Sequence, residues 1–236
     1  MISYIVPAYD EERLLGATLR ALHAASAAVG EPYEIVVADD ASSDTTAAIA
    51  TRCGARVVPV AHRQIAATRN SGARAALGNR FIFVDADTLV DAAVIRAALQ
   101  ALRDGAAGGG AAVRFDGRVP AYARVLLVAV VWLFRVCGWA GGCFVFCTRP
   151  AFEGAGGFDE TLYAAEEIAL SAALKRQGPF VVLRQAVTTS GRRIRAYSAW
   201  ELLRFVAQIA VGGPSAMRTR GGVAMWYDKR RNDPDA

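Results

Sequence analysis

Two aspartates, Asp85 and Asp87, directly follow a short apolar run at residues 80–84. A run of this length without polar alternation predicts a strand buried on both faces, and open α/β sheets bind ligands at the carboxyl ends of such strands. At a strand-to-loop turn both carboxylates can converge on one hard cation, which predicts a site for Mg²⁺ or Mn²⁺. The alternative is that Asp87 only caps a helix that begins near Asp91.

A second acidic pair, Glu166 and Glu167, lies at the start of a helix predicted over residues 165–177. Carboxylates in such a position can serve in general acid–base chemistry, so the pair is a candidate functional site. Glutamates in a first helical turn also stabilise the helix dipole, and this structural role stays open.

Strands and helices alternate along the chain, which predicts an α/β fold with a parallel sheet and right-handed crossovers in the N-terminal half. Strands are predicted over 2–8, 33–38, 56–60, around Phe81, and over 111–115, 143–147 and 180–186. Helices are predicted from a cap at Asp10 to Val29 and over 45–53, 64–77, 91–102, 121–136, 165–177 and 198–211. The glycine-rich stretch at 105–110 is predicted to be a loop.

The composition predicts a folded, basic protein. The chain has 236 residues, 54% of them hydrophobic, and a formal net charge of +5 that comes almost wholly from arginine. Such a charge suits phosphates or an anionic membrane surface. Nucleic acid is not an expected partner, because the arginines are scattered and no motif of stacking aromatic residues accompanies them. The cysteines form no CxxC pair and are expected to be reduced, buried side chains: Cys53, Cys137, Cys143 and Cys147.

Six segments resemble, in order, the successive motifs of the family 2 glycosyltransferases: residues 5–12, 36–45, 67–72, 83–87, 156–160 and 166–170. The resemblance covers residues 2–195. It implies a GT-A type fold, with a Rossmann-like, mostly parallel sheet flanked by helices and a helical C-terminal segment. It further implies a domain over 1–195, with a nucleotide-sugar half at 1–104 and an acceptor half at 105–195, followed by a C-terminal helix and basic tail at 196–236.

For the nucleoside, the resemblance implies a binding turn formed by Pro7, Ala8, Tyr9 and Glu11. Tyr9 would flank the base, and Glu11 would bind a ribose hydroxyl unless it serves only the start of a helix. Asp39 would accept a hydrogen bond from a pyrimidine N–H. The neighbouring polar residues have a ready alternative as turn and capping residues, which we favour for the last three: Asp40, Ser42, Ser43 and Asp44.

For the diphosphate, the resemblance implies that Arg69 approaches the phosphates or nearby acidic residues, the alternative being an exposed helical arginine. Within the motif Asp85-Ala86-Asp87, Asp85 would bind the sugar or ribose and Asp87 the metal. Arg192 or Arg193 stands where relatives often place a residue that faces the metal or phosphate.

The implied reaction is an inverting, metal-dependent transfer of a sugar from a nucleotide-sugar, with UDP the favoured carrier, to a hydroxyl acceptor. The family usually has Glu-Asp where this chain has Glu166-Glu167. By register Glu167 is the expected base and Glu166 the sugar or acceptor contact. The chain lacks the Gln-x-x-Arg-Trp signature of processive relatives, so one sugar is expected per encounter. The alternatives are a sugar-phosphate nucleotidyltransferase and a non-catalytic nucleotide-sugar binding module.

Two apolar helices bear on location. The apolar stretch at 125–134 is too short to span a bilayer, and Arg124 and Arg135 interrupt it. This helix and the one over 200–211 either pack in the core or make a peripheral contact at the inner face of the cell membrane, where a lipid-linked acceptor would lie. Because residues 2–7 already predict a strand, we expect no signal peptide and a cytoplasmic location.

Overall fold

The computed structural model describes residues 1–117 and 138–192, together with the single residues 195, 200, 217 and 218. Within this part of the chain the strands form one sheet, with helices on both faces. The strands are β1 Ile2–Ala8, β2 Tyr33–Asp40, β3 Arg56–Val60, β4 Arg80–Val84, β5 Thr88–Leu89, β6 Gly108–Phe115, β7 Phe144–Thr148 and β8 Phe180–Thr189. The helices are α1 Leu15–Val29, α2 Thr46–Arg52, α3 Ile65–Ala75, α4 Ala92–Arg103, α5 Arg149–Gly154 and α6 Glu166–Lys175.

The sheet joins a parallel part to a mixed part, in the order β3-β2-β1-β4-β7-β6-β8-β5. β1 pairs in parallel with β2 and β4, and β2 pairs in parallel with β3, which confirms the predicted N-terminal arrangement. The antiparallel strand β7 lies between β4 and β6, and β8 runs parallel to β6. Because the strand order extends in opposite directions from β1, a crevice is expected at the carboxyl ends of β1 and β4.

Strand β4 is buried on both faces, as its continuous apolar sequence predicts. Ile82 and Val84 belong to the core cluster under α1 and α4, whereas Phe81 and Phe83 belong to the cluster under α3, α5 and α6. The ring of Phe83 meets that of Phe158 edge to face, with the centroids 4.9 Å apart. The aspartates that follow β4 are therefore carried by a strand fixed from both sides.

The glycine run is partly strand, so the prediction of a loop over 105–110 is wrong for its second half. Gly108, Gly109 and Gly110 open β6, between β7 and β8. A Cβ on Gly109 would lie 2.1 Å from the carbonyl oxygen of Val181, and one on Gly108 would lie 2.6 Å from that of Phe146. The glycines are there because neighbouring backbones approach too closely for a side chain.

Strand β8 continues to Thr189, beyond the predicted end at residue 186, and this extension bears on the site. Thr88 of β5 pairs with Thr189, and the two hydroxyl oxygens are 2.9 Å apart. The pairing fastens the loop that follows β4 to the end of β8. The sequence did not predict β5 or α5, because elements of two and six residues are too short to show periodicity.

Two helix starts differ from the predictions. Helix α1 begins at Leu15 and not at a cap formed by Asp10, whose backbone has a left-handed φ of 49°. Helix α4 is capped by Asp91, whose Oδ1 accepts a hydrogen bond from the N–H of Val94 at 2.9 Å. Because Asp91 supplies this cap, the interpretation of Asp87 as only a capping residue is wrong.

The predicted helices over 121–136 and 198–211 lie outside the described residues, as do Cys137 and Arg193. In the part of the chain that is described, no helix combines the length and the apolarity needed to span a bilayer. The cysteines of that part are free thiols, with Cys143 and Cys147 buried and Cys53 partly buried. Burial raises the pKa of the Cys143 and Cys147 thiols, so both are unreactive small core residues.

Candidate active site

The candidate site lies where β1, β2 and β4 end. Ala8 at the end of β1 pairs with Asp39 of β2, so the segments that follow the two strands lie side by side. Strand β4 pairs with β1 only as far as Ile5, and the sheet opens beyond that residue. Pro7 occupies the opening, where its missing N–H costs no pairing with β4.

Tyr9 and Asp39 form the part of the site predicted to bind the base. Asp39 is buried, and its Oδ1 accepts a hydrogen bond from the Ser42 hydroxyl at 2.5 Å. The guanidinium carbon of Arg63 lies 4.0 Å from the centroid of the Tyr9 ring, and its Nη2 donates to the Ala41 carbonyl at 3.2 Å. An aromatic ring can flank a base, and a nearby carboxylate can accept a hydrogen bond from one of the base's N–H groups.

Asp40 has the structural role that the sequence left open. Its Oδ1 accepts hydrogen bonds from the backbone N–H groups of His62 and Arg63, at 2.6 and 2.9 Å. Its Oδ2 accepts from the N–H of Gln64 at 3.2 Å and from the Thr68 hydroxyl at 3.0 Å. These bonds hold Arg63 at a φ of 52°, a left-handed conformation that is unfavourable for a residue with a side chain. The sequence carried no signal for Arg63, since its placement depends on this loop.

Ser42, Ser43 and Asp44, which follow Asp40, are turn residues, the role that the sequence analysis favoured for them. Asp44 accepts from the N–H of Thr46 at 2.9 Å, at the start of α2. Ser42 accepts from the N–H of Asp10 at 3.0 Å, and Asp10 accepts from the N–H of Ser43 at 2.7 Å. Asp10 therefore joins the loops after β1 and β2 and caps no helix.

Arg69 connects the acidic motif after β4 with the one that begins α6. It is 1% exposed, so the alternative of an exposed helical arginine is wrong. Its Nη2 donates to Asp85 at 2.7 Å and to the Gly142 carbonyl at 2.8 Å, and its Nη1 donates to Glu166 at 2.7 Å. Burial opposes the charge, but Asp85 and Glu166 more than offset it and raise the pKa of Arg69. Asp85 and Glu166 thus lie on either side of one buried cation.

Arg192 holds the other acidic residues of the crevice. It is 8% exposed, and its Nη2 donates to Glu11 at 2.5 Å and to Asp87 at 3.1 Å. The carboxylates of Glu11 and Asp87 raise the pKa of Arg192 against the opposing effect of burial. The Thr189 hydroxyl donates to the other oxygen of Asp87 at 3.2 Å. Thr189 had no signal in the sequence, because it reaches the site only through the pairing of β5 with β8.

Asp85 and Asp87 therefore face different partners. Ala86, between them, is buried, and its carbonyl accepts from the Thr18 hydroxyl at 2.9 Å. Asp85 turns to Arg69 and Asp87 to Arg192, so the predicted convergence of both carboxylates on one point is not seen.

Glu167 differs from its neighbour. It is partly buried and lies beside Gly142, where a Cβ would come within 3.3 Å of its carboxyl carbon. Burial, reinforced by the charge of Glu166, raises the pKa of Glu167 to about 8, while Arg69 acts in the opposite direction. The adjacent glutamates thus have separate chemistry: Glu166 is paired with the buried Arg69, and Glu167 is a poised acid–base group.

The loop resembling the acceptor motif, residues 156–160, is tied to α3. Asn70 exchanges two hydrogen bonds of 2.9 Å with the backbone of Phe158. A Cβ on Gly157, which has a φ of 76°, would lie 2.8 Å from the side-chain oxygen Oδ1 of Asn70. Gln64 extends the anchoring by donating to the carbonyls of Glu160 and Leu162. The loop and the helix that carries Arg69 therefore form one rigid wall.

The donor set suits a divalent metal that arrives with phosphates. Across residues 1–117 and 138–192, no three His, Cys, Asp or Glu side chains stand close enough together to hold a metal ion. Mg²⁺ in proteins is commonly held by one or two carboxylates, with substrate phosphates and water completing the shell. Asp87, partly exposed beyond the carboxyl end of β4, fits that pattern as one carboxylate, and Asp85 lies two residues away but turned to Arg69.

Three comparisons with known proteins bear on this site. The sequence profile described as "Glycosyl transferase family 2" matches residues 3–135, more than half of the chain. Over 93 residues the chain is 36% identical to the undecaprenyl-phosphate 4-deoxy-4-formamido-L-arabinose transferase of Edwardsiella ictaluri and 34% identical to that of Klebsiella pneumoniae. Each match covers 38% of this chain and 27% of the relative, so the chain is aligned to about a quarter of these proteins.

Similar solved structures share the fold at low identity. The mannosyltransferase PcManGT of Pyrobaculum calidifontis, in complex with GDP-Man and Mn²⁺, superposes with a TM-score of 0.66 at 21% identity, over 94% of this chain and 64% of that one. S. aureus TarS 1-349 in complex with UDP-GlcNAc superposes with a TM-score of 0.65 at 19% identity, over 88% of this chain and 66% of that one. Glucosyl-3-phosphoglycerate synthase of Mycobacterium tuberculosis was solved in complex with Mn²⁺, UDP and glucosyl-3-phosphoglycerate. It superposes with a TM-score of 0.58 at 20% identity, over 91% of this chain and 80% of that one. The chain has a GT-A fold, and with the profile match over residues 3–135 it belongs to glycosyltransferase family 2.

Proposed function

We propose that this enzyme is an inverting, metal-dependent glycosyltransferase that moves one sugar from a UDP-sugar to a hydroxyl acceptor. The observation that carries the proposal is the link made by Arg69, whose guanidinium is shared by Asp85 of the donor motif and Glu166 of the acidic pair. This link brings Glu167, a carboxyl group with a raised pKa, to the end of the donor crevice. A donor site and a base on one rigid support are what a single displacement at the anomeric carbon requires.

Each residue of the donor site is assigned to one part of the nucleotide. Tyr9 and the turn at Pro7 and Ala8 flank the base, and Asp39 accepts its ring N–H. Glu11 binds a ribose hydroxyl. This assignment is supported by the adjacency of Ala8 and Asp39 in the sheet and by the burial of the Asp39 carboxylate.

The diphosphate lies toward Asp87 and Arg192. Asp87, with Asp85 nearby, would hold Mn²⁺ or Mg²⁺, which when bound stabilises the negative charge on the departing nucleoside diphosphate. Arg192 supplies a second positive charge on the same side, from a buried position that screens the phosphates from water. Complexes of similar structures with Mn²⁺ and UDP or GDP-Man support a metal in this type of fold.

Glu167 removes the proton of the acceptor hydroxyl as the bond to the anomeric carbon forms. Glu166 remains paired with Arg69 and positions both the sugar-side carboxylate Asp85 and the helix that carries Glu167. Attack on the face opposite the leaving diphosphate inverts the anomeric centre.

A lipid phosphate is the second candidate acceptor, because the relatives matched at 36% and 34% identity carry undecaprenyl phosphate in their names. The hydroxyl is favoured, since a phosphate acceptor needs no base and would leave Glu167, with its raised pKa, without a role. Transfer to polyprenyl phosphate and to polyprenyl or sugar alcohols, assayed in parallel with one labelled donor, separates the two.

The experiment that tests the proposal is a transfer assay with a panel of nucleotide-sugars, with Mn²⁺ or after chelation. Asp87→Asn is expected to lower transfer by about 100-fold or more, because it weakens the binding of the metal that would stabilise the leaving diphosphate. Asp91→Asn is the matched control four residues away. It weakens only the α4 cap, so transfer should be retained. Tight donor binding without turnover would indicate a binding module, and release of pyrophosphate from a nucleoside triphosphate would indicate a nucleotidyltransferase.

Replacing Asp39 with asparagine is expected to change base preference. An asparagine amide can also donate, so UDP should bind about 10- to 100-fold more weakly, as for the loss of a hydrogen bond to a charged group, whereas CDP, which lacks the ring N–H, should lose much less. Isothermal titration of both nucleotides measures the ratio. Asp44→Asn, which alters the hydrogen bonds that Asp44 accepts from Thr46 and from the N–H of Glu12 but leaves Asp39 in place, is the control. Equal losses for UDP and CDP would contradict the assignment.

A further inference from the structure

Arg192 and a divalent cation would use the same carboxylate. The guanidinium Nη2 of Arg192 is 3.1 Å from Oδ2 of Asp87, and Thr189 donates to Oδ1. Glu11 anchors the same Nη2 at 2.5 Å. A metal at Asp87 therefore meets a buried positive charge within a few ångströms, in a place where water screens poorly.

Arg192 is held firmly but is not saturated with hydrogen bonds. It is 8% exposed, and among the described residues its buried Nε has no hydrogen-bond partner. A guanidinium has five N–H donors, and it binds phosphate oxygens through paired donors. A diphosphate in the crevice would supply these acceptors, together with the negative charge that allows Arg192 and a metal to lie side by side.

We infer that Arg192 competes with the metal for Asp87, so that the metal binds weakly to the enzyme alone and strongly together with the nucleoside diphosphate. This inference rests on the metal site proposed above and deepens it by giving the order of binding. Arg192 is then a positioning residue: it weakens metal binding to the enzyme alone and accommodates the metal once the nucleoside diphosphate is bound. The coupling is reciprocal, so the metal must strengthen nucleotide binding by the same factor.

The test is Mn²⁺ binding without nucleotide, followed by the electron paramagnetic resonance signal of free Mn²⁺ and by titration calorimetry. Arg192→Gln removes the competing charge and is expected to bind Mn²⁺ at least about tenfold more tightly than wild type, given the strength of a like charge at this range. Adding UDP should then strengthen Mn²⁺ binding much less in the variant than in wild type. A purely structural arginine predicts the reverse, because losing it would loosen the Asp87 loop and weaken Mn²⁺ binding.

Three further variants complete the design. Arg192→Met, a second neutral variant of similar length, should reproduce the effect and replaces Arg192→Gln if that variant does not fold. Arg192→Lys keeps the charge and should bind Mn²⁺ about as wild type does. Arg195→Gln, whose parent side chain pairs with Asp116 at 3.4 Å, should leave Mn²⁺ binding unchanged.

The outcomes separate the inference from the proposed function. If the neutral variants bind Mn²⁺ no more tightly than wild type, the competition is refuted, while metal-dependent transfer still stands. If Mn²⁺ binds to no variant, with or without UDP, both the competition and the metal site at Asp87 are refuted. A donor-dependent transfer activity that survives chelation would then show that the enzyme works without a metal.

Discussion

Glu167→Gln is expected to lower the transfer rate by about 10²–10⁴-fold, the range that a positioned general base contributes. The change keeps the shape of the side chain and removes only its ability to accept a proton. Donor binding, measured as the dissociation constant of UDP, should be nearly unchanged, because Glu167 is proposed to act on the acceptor and not on the nucleotide. Initial rates at saturating donor and acceptor measure the effect.

Two further variants test whether the loss of rate is specific to Glu167. Glu153→Gln is the inert control, because Glu153 is 63% exposed and, among the described residues, pairs with Arg149 alone, at 3.6 Å. Glu166→Gln should lower stability through the loss of its pairing with Arg69, in addition to any effect on rate. If Glu167→Gln keeps the wild-type rate and Glu166→Gln loses it, the assignment of the base is reversed.

The raised pKa of Glu167 gives this prediction a pH dependence. The base acts when ionised, so kcat/KM should rise with pH and level off above about 8. The folded protein favours the protonated form of Glu167, because its pKa there is about 8, whereas the ordinary pKa of a glutamate is 4.5. The stability that this group contributes is therefore fully present below pH 4.5 and is lost as the pH rises through about 8. Glu167→Gln should thus melt at a higher temperature than wild type at alkaline pH, although it is inactive.

Arg69→Met should destabilise the fold by about 3–5 kcal/mol, the usual cost of breaking a buried ion pair from one side. The substitution leaves Glu166, which is 4% exposed, without its cation, and it frees Asp85 at the mouth of the site. The midpoint of urea unfolding and the free energy extrapolated to water measure the loss. Transfer should fall as well, because Asp85 and the helix that bears Glu167 are no longer held together.

The same helix provides the control for Arg69. Arg74 is 64% exposed and lies 3.9 Å from Glu160, so Arg74→Met should change stability by less than about 1 kcal/mol. The double variant Arg69→Met with Glu166→Gln should recover part of the loss, since no buried charge then lacks a partner at that position. If Arg69→Met were as mild as Arg74→Met, the buried network would not be what fixes the site.

Elements with a strong local signal were predictable from sequence. The strands over 2–8 and 56–60 have the predicted bounds, because each is an apolar run ended by turn residues. Gln64, at the first predicted residue of α3, caps that helix by accepting from the N–H of Ala67 at 3.1 Å. The motifs of the donor half also lie at one end of the sheet, since parallel strands place their carboxyl ends together.

The partners of the charged residues were not predictable in the same way. Arg69 and Glu166 are 97 positions apart, and Glu11 and Arg192 are 181 positions apart, so both pairs exist only once the sheet has closed. Helical periodicity gives no sign that an arginine such as Arg69 faces inward. The left-handed backbone at Asp10 was equally hidden, because the loop that follows β2 imposes it through Ser42 and Ser43.

The positions of β3 and β5 at opposite edges of the sheet affect how the chain can be divided. Both strands come from residues 1–104, so β6, β7 and β8 are inserted between strands of the preceding segment. A cut after residue 104 would leave β4 with an unpaired side and would strip β8 of its neighbour β5, exposing open edges on both fragments. Chimeras with other family members should therefore exchange the whole sheet, because a junction between the halves would separate strands that depend on each other.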